Sequence, residues 1–485
     1  MSWVRRRTGA AHLPQHRGHG HPGVLGNSWP EVGEPTPDGG IAAPVAYHRD
    51  PGPELADDAS VTEVLDLALR IGEVLLSSGT AAMDTTGYVL AVTGAYGLPR
   101  CEVDITFTSI TISAHRGLSR PPVNTLRVVN YRSLDYTRLA EVDRLVVAAQ
   151  RGELTATTAH TELDRITTAA HPYPRWVATA AWAGMAASVA LLLGGGPLVI
   201  AVAFVATVTI DRTNRLLNRI GLPFFFQQVV GGFIATMPAV ALYAAQGGLG
   251  ISVRPSQVVA AGIVVLLSGL SLVGSVQDAI TGALVTGTAR FAEVMVLTAG
   301  IIVGLGLALK LSTGVGVALP PLAETSTGFT DLPVQVIGAA GTSAFFALAS
   351  YAERRALLAA AAAGAVGWLV YGLLTQAGSG PVLASAAAAT LVGLAGGVIS
   401  RRTRIPPMVV TVSGIAPLLP ALAVYRGLYG LTDDSVVQGF SELGGALAVA
   451  GALAAGVVLG EWVSLPVRTG LSRLEHRLDG GRDGS

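Results

Sequence analysis

The sequence predicts a mostly α-helical, polytopic membrane protein: about ten transmembrane helices, readable as two five-helix halves, behind an N-terminal cytoplasmic α/β domain. Three observations predict it. The chain is short of charge, it carries a series of apolar runs of membrane-spanning length from about Trp176 onward, and the connections between those runs alternate in charge. Of its 485 residues, 51% are hydrophobic and only 13% charged, about half the roughly 25% charge of soluble globular chains. Mean hydropathy is +0.53. The 60 glycines fit a packed bundle, because small residues let helix backbones approach closely where no hydrophobic effect drives association. A formal net charge of zero gives no global field for nucleic acid. The single cysteine, Cys101, excludes an internal disulfide and any cysteine-based metal site.

Residues 1–58 are rich in Gly, Pro, His and Asp without apolar periodicity, the composition of a disordered tail. Three arginines in the first seven residues are followed by no apolar run, which argues against a cleaved signal peptide. His12, His16, His19 and His21 cluster there with no carboxylate or cysteine beside them, so they read as a solvated tail rather than a metal site.

Residues 59–175 read as the α/β domain. Val61, Val64, Leu65, Ala68, Ile71 and Leu75 recur at helical spacing, with Ser60 and Glu63 placed as a capping box and Gly79 as the stop. A second helix is expected over residues 80–95. Val103, Ile105 and Phe107 then alternate with polar neighbours as in a half-buried strand. The phase slips at Ser109, which predicts a bulge or turn, and Leu126–Asn130 is placed to pair with that strand. Helices near 137–149 and 155–169 complete the domain before His171-Pro-Tyr-Pro174.

About 20 apolar residues cross ~30 Å of hydrocarbon. Candidate spans are 176–194, 197–211, 222–245, 256–277 and 291–311 in a first membrane half (176–311), then 333–351, 356–376, 380–400, 406–426 and 437–464 in a second (333–466). Residues 312–332 connect the halves as an extracytoplasmic loop with Glu324 and Asp331, and residues 467–485 form a polar tail. One set of connections holds Arg212/Arg215/Arg219, Arg290, Arg354/Arg355, Arg401/Arg402/Arg404 and Arg468/Arg473/Arg477. The other holds glycines, a lone Arg254, the acidic loop and Asp433-Asp434. The positive-inside rule then puts both termini in the cytoplasm of a multi-pass plasma (inner) membrane protein.

Polar groups at membrane depth are costly and mark function. The first such stretch runs from Gln277 to Glu293 and contains Asp278, Thr281, Gly282, Thr286, Gly287, Arg290 and Glu293. Joined to its neighbours it would make one helix too long for the bilayer, so a break or re-entrant element near Gly282 or Gly287 is expected. Broken helices expose backbone N–H and C=O groups of the kind transporters use for zwitterions and ions. The plainer alternative is a cytoplasmic turn with Asp278 and Arg290 capping two helices. The second stretch holds Thr411, Ser413, Gly414, Pro417, Pro420 and Tyr425. Each proline removes a backbone donor, with Gly414 favouring a break; a packing kink is the alternative. Pro420-Ala-Leu-Ala-Val-Tyr425 echoes Pro238-Ala-Val-Ala-Leu-Tyr243, as a duplicated half would. Glu442, within the last span, is a candidate proton relay or an interfacial residue.

No phosphate-cradling Gly-Lys-Ser/Thr loop and no convergent nucleophile and base occur, so neither ATP hydrolysis nor other enzymatic chemistry is indicated, and no cofactor or metal is called for.

Three blocks carry a resemblance to the bacterial threonine/serine exporter family: Leu69-Arg-Ile-Gly-Glu-Val-Leu-Leu-Ser-Ser-Gly79; Asp278-Ala-Ile-Thr-Gly282 through Ala289-Arg-Phe-Ala-Glu293; and Pro417-Leu-Leu-Pro420 with Tyr425-Arg-Gly427. Their order and spacing cover residues 60–465. The family pattern has Pro-Gly where this chain has Pro420-Ala421. The resemblance implies secondary export of L-threonine and L-serine driven by the proton gradient. Expected partners are therefore a small amino-acid substrate, protons and the lipid bilayer, with no nucleic acid; a homo-oligomer is compatible with the sequence. Related two-chain systems resemble the two halves and are associated with dicarboxylate export, so succinate-like substrates are the alternative. A membrane enzyme with a catalytic N-terminal domain is a second alternative, and a tethered binding module fits poorly, because an anchor needs one helix.

Overall fold

The first helix, α1 (Asp58–Ser77), forms because its apolar residues fall three and four apart, and Val61, Val64, Leu65, Ala68, Ile71 and Leu75 are all buried. The structure is a computed structural model and describes residues 58–115, 121–129, 134–249, 254–267, 269–317, 331–403, 405–432 and 435–479. Residues 1–57 of the expected tail, Glu324, Arg404 and the Asp433-Asp434 pair lie outside the described residues, as do the side chains of Arg401, Arg402, Arg468, Arg473 and Arg477. Ser60 lies inside α1 rather than at its cap.

After α2 (Ala82–Ala95) come three antiparallel strands in the order β1 (Cys101–Thr106), β2 (Ser109–Ala114) and β3 (Val123–Val128). The phase slip at Ser109 is a two-residue hairpin turn, with Thr106 opposite Ser109 and Phe107 at φ 54°. The Leu126 segment pairs with β2, not with the strand before the turn, placing Thr111 opposite Leu126. Ile110, Ile112 and Ala114 turn one face of the central strand into the core, where β2 meets α1. Next, α3 (Tyr136–Gln150) starts at Asp135, whose carboxylate accepts the Arg138 N–H, and α4 (Ala156–Thr168) starts at Thr155, which accepts from Thr158.

The remaining helices are α5 (Arg175–Leu192), α6 (Pro197–Arg219), α7 (Phe224–Leu249), α8 (Pro255–Leu266), α9 (Gly269–Ile280), α10 (Leu284–Gly314), α11 (Leu332–Ala349), α12 (Arg354–Gln376), α13 (Pro381–Thr403), α14 (Pro407–Ile415), α15 (Ala421–Thr432) and α16 (Val436–Asp479), with a single 3₁₀ turn at Ala416–Leu418. Among the described residues, eight helices are long and apolar enough to cross a membrane, and α8 with α9, bent by 52°, makes a ninth. Large apolar side chains such as Val205, Leu358, Leu383 and Val437 point outward, as lipid contact requires and water would penalise. The protein is a polytopic helical membrane protein. The expectation of ten continuous spans needs two corrections: the expected 256–277 span is bent into α8 and α9, and the expected 406–426 span is two short helices, Pro407–Leu418 and α15, because Pro417 and Pro420 remove donors where the helix would continue. The sixth and last helices also outrun their expected ends, α6 reaching Arg219 and α16 reaching Asp479 within the expected polar tail.

The helices repeat an order. In α5–α10 the third helix, α7, packs along the last, α10, and the span between them is broken; in α11–α16 α13 packs along α16 and the span between them is again broken, while the two leading helices, α5 and α11, pack against each other. The hexapeptide echo does not follow this order. Pro238 lies inside the continuous helix α7, whereas Pro420 sits at a break. The first half is interrupted twice: between α8 and α9, where no break is expected, and near Gly282 as expected, where α9 ends at Ile280 and α10 begins at Leu284, while Gly287 lies inside α10.

Candidate functional site

Two polar regions stand at opposite ends of the helices. The first is where the α/β domain meets the membrane helices, and both belong to one compact unit that begins at Gly52. Helix α9 ends in the turn Thr281–Ala283, where Gly282 takes φ +104°, and α10 runs back beside it. Gly287 is continuous α10, not a break: a Cβ there would lie 2.7 Å from the Ser275 carbonyl oxygen, so glycine lets the two helices close. That closeness brings Asp278 and Arg290 together, with Oδ2 2.7 Å from Nη1. Asp278 is 0% and Arg290 7% exposed. Arg290 is thus a buried helix residue and not part of a basic connection.

The domain completes the coordination of this pair. The Ala82 N–H, at the start of α2, donates to Asp278 Oδ1 at 2.9 Å, and Arg290 Nη2 donates to the Thr80 carbonyl at 3.3 Å. A carboxylate at a helix start is favoured by the helix dipole. Beside them Thr286 Oγ1 donates to the Ile105 carbonyl at 2.8 Å and accepts the Phe107 N–H at 3.0 Å, joining α10 to the hairpin turn. Thr281 bonds back to the Gln277 carbonyl, closing its own helix, and Glu293 lies one turn along α10, half-buried. The stretch is therefore a capped turn with a buried ion pair, nearer the plainer expectation, but one that binds the α/β domain.

The same domain turn reaches α14, where Thr80 Oγ1 contacts Met408 Sδ at 3.5 Å. Elsewhere the Tyr136 N–H donates to the Ser350 carbonyl at 2.9 Å and Arg144 pairs with Glu353. Asp84, on the first turn of α2, keeps an exposed face; desolvation by the surrounding protein, and then the charge of Asp278, hold its carboxyl above the usual range.

The second region is a cavity of about 1090 Å³ bounded by α5, α8, α11, α12, α13 and the α14–α16 segment, at the helix ends remote from the α/β domain. Its wall includes the break itself, residues 416–420, with Pro417 and Pro420. The 3₁₀ turn ends α14, and α15 restarts at Ala421, so carbonyls of one helix end and N–H groups of the next meet at this wall. Glu442 lines it, as do Arg426, Gln335, Trp368 and Ser385. Trp368 Nε1 donates to Gln335 Oε1 at 3.2 Å. Ser385, 1% exposed, has no hydrogen-bond partner for Oγ among the described residues.

The expected residues divide accordingly. Pro417, Pro420 and Glu442 share the cavity; Asp278, Thr286 and Arg290 share the domain junction. Gly414 is not at the break but within α14, packed on Val392 and Ala363, and Ser413 is fully buried on the same helix. Tyr425 is buried beside Tyr429, ring centroids 6.3 Å apart, and is not among the cavity residues. Arg426, its neighbour, was not singled out by sequence reasoning. An arginine within an apolar helix is itself the signal that would have found it.

Known proteins match this chain along most of its length. One threonine/serine exporter family model matches residues 66–312 and a second matches residues 335–463. A threonine/serine exporter of Corynebacterium glutamicum is 44% identical over 417 residues, 86% of this chain and 85% of that protein. A Mycobacterium tuberculosis protein named "Probable threonine/serine exporter" is 43% identical over 438 residues, 89% of this chain and 82% of that protein. No solved structure matches the chain. With two family models in series across both polar regions and relatives aligned along most of their own length, the chain belongs to the threonine/serine exporter family.

Proposed function

We propose that the protein exports small hydroxylated amino acids, L-threonine and L-serine, across the plasma membrane, as a secondary transporter driven by the proton gradient, with the α/β domain and both termini in the cytoplasm. The observation that carries this reading is the 44% identity to a named exporter over 86% of the chain. The cavity supports it physically: a broken helix at its wall places helix-end backbone groups there, and Glu442 supplies a half-buried carboxylate on which a proton can be carried. Arginines at the end of α6 (Arg212, Arg215 and Arg219) and at the start of α12 (Arg354 and Arg355) support the orientation.

In this reading the α/β domain is the cytoplasmic gate. Its turn at residues 78–82 holds the Asp278–Arg290 pair and touches the start of α14, whose other end is the cavity wall. Lifting the domain frees the cytoplasmic helix ends and releases α14, while seating it leaves the cavity open on the far side. The test is efflux from cells lacking their own threonine exporters, loaded with a threonine-containing dipeptide. Cells expressing this chain release threonine and serine faster than control cells. Equal release would sink the assignment, and accelerated release of succinate alone would move it to dicarboxylates.

A further inference from the structure

The cavity carries charge that the fold does not use. Arg426 on α15 and Glu442 on α16 both line it, and both are half-buried. Their helices are held at close range, since a Cβ on Gly427 would lie 2.6 Å from Leu443 Cγ and one on Gly430 would lie 3.0 Å from Gly439 Cα. Yet among the described residues neither Arg426 nor Glu442 makes an ion pair. Half-buried opposite charges in one cavity pay desolvation, and a pair serving stability alone would be closed, as Asp278 and Arg290 are. Two separated charges of opposite sign match a ligand that carries both signs itself.

We propose that this cavity binds the α-amino-acid zwitterion, with Arg426 and the N-terminal N–H groups of α15 receiving the carboxylate, Glu442 receiving the ammonium, and Ser385 Oγ offering a hydrogen bond to the side-chain hydroxyl. The proposal rests on the export reading and adds its recognition chemistry. The start of α15 is a fitting carboxylate site because Leu422 and Ala423 in its first turn line the cavity and the helix dipole is positive there. Arg426 lies one turn further along the same helix, so both act on one anion. Ser385 is the second, independent sign of a ligand: a cavity-lining residue, 1% exposed, whose hydroxyl has no hydrogen-bond partner among the described residues. Arg254 and Asp331 also line the cavity but are exposed at helix starts, at its rim. A dicarboxylate meets Arg426 equally well but sets its second carboxylate against Glu442, so the site selects against succinate. Glu442 must be ionised to hold the ammonium. Substrate and proton therefore occupy it in turn, as exchange of one for the other requires.

Binding to the purified full-length protein, by equilibrium dialysis with radiolabelled L-threonine and unlabelled competitors, tests this apart from transport. The competitors are L-threonine methyl ester, which lacks the anionic carboxylate, 2,3-dihydroxybutyrate, which lacks the ammonium, and succinate. In the wild type each competes at least about 10-fold more weakly than threonine, the range expected for losing one charge-assisted hydrogen bond. Arg426→Ala weakens threonine at least about 10-fold but leaves the methyl ester unchanged; Glu442→Gln weakens threonine similarly but leaves 2,3-dihydroxybutyrate unchanged. Ser385→Ala narrows the preference for threonine over 2-aminobutyrate, and Arg254→Ala at the rim changes little. Because each variant keeps its affinity for the analogue missing the matching charge, misfolding is told apart from a lost contact. Threonine binding of wild-type strength in both Arg426→Ala and Glu442→Gln would overturn the site while leaving export intact. Charge-matched binding in a protein that moves no amino acid would sustain the site and overturn the transport reading.

Discussion

The two polar regions of this protein use the same residue types to opposite ends. At the domain junction Asp278 and Arg290 are buried, paired at 2.7 Å and capped by the Ala82 N–H and the Thr80 carbonyl. At the far end Arg426 and Glu442 line a cavity of about 1090 Å³ and pair with nothing described. The difference teaches how to separate structural from functional charge in a membrane protein. A charge whose every partner is supplied by the fold holds elements together, and a charge left open at the wall of a cavity awaits a ligand.

That contrast breaks first at Arg290. Arg290→Ala leaves a buried carboxylate uncompensated and costs about 3–5 kcal/mol, read as a large fall in the thermal midpoint of the detergent-solubilised protein, with transport impaired although the chain still inserts. Asp278→Asn keeps an acceptor for the Ala82 N–H but strands Arg290, and transport falls with it; wild-type flux in both variants would reduce the 278–290 segment to a connector. Thr286→Val removes both hydrogen bonds to the hairpin and costs about 1–3 kcal/mol, measurable as faster protease cleavage at the domain junction. On the other side of the comparison, Arg426→Ala changes stability by no more than about 0.5 kcal/mol, while threonine binding drops as described above. A thermal fall as large as that of Arg290→Ala would show that Arg426 is structural and erase the contrast.

The smallest effect is expected at Asp84, whose carboxyl is held above the usual range by desolvation from the neighbouring protein and by the charge of Asp278. An acid with a raised folded-state pKa binds its proton more tightly folded than unfolded, so ionising it destabilises the fold. Asp84→Asn therefore stabilises the junction above the folded-state pKa, and its advantage over the wild type shrinks to nothing as the pH falls below the ordinary carboxylate value. Thermal midpoints of both proteins across pH check the sign.

Much of this fold is legible in the sequence, because lipid imposes a coarse rule. The runs behind α5, α7, α11, α12 and α13 end within a few residues of the helices observed. The interruptions were harder. Two prolines announced the α14–α15 break and Gly282 marks the turn between α9 and α10, but the apolar run from Val264 to Val276 gives little sign of the gap between α8 and α9, and glycines at 287 and 414 suggested breaks they do not make. At Gly287 and Gly414 the missing side chain serves a close helix contact instead. Least legible was the junction. Ala82 and Asp278 are 196 residues apart, and no local pattern tells a carboxylate that its partner is the start of another domain's helix. Glu442 could be suspected alone; that it shares a cavity with Arg426 appears only when α15 and α16 are packed.

The central claim is that this chain moves a hydroxylated amino acid through the cavity in exchange for protons. Purified protein in proteoliposomes, loaded with radiolabelled L-threonine and given an imposed proton gradient, measures it directly. Threonine leaves rapidly when the gradient favours proton entry, slowly when the gradient is collapsed, and slowly in Arg426→Ala under either condition. Threonine flux indifferent to both the gradient and Arg426 would contradict the account.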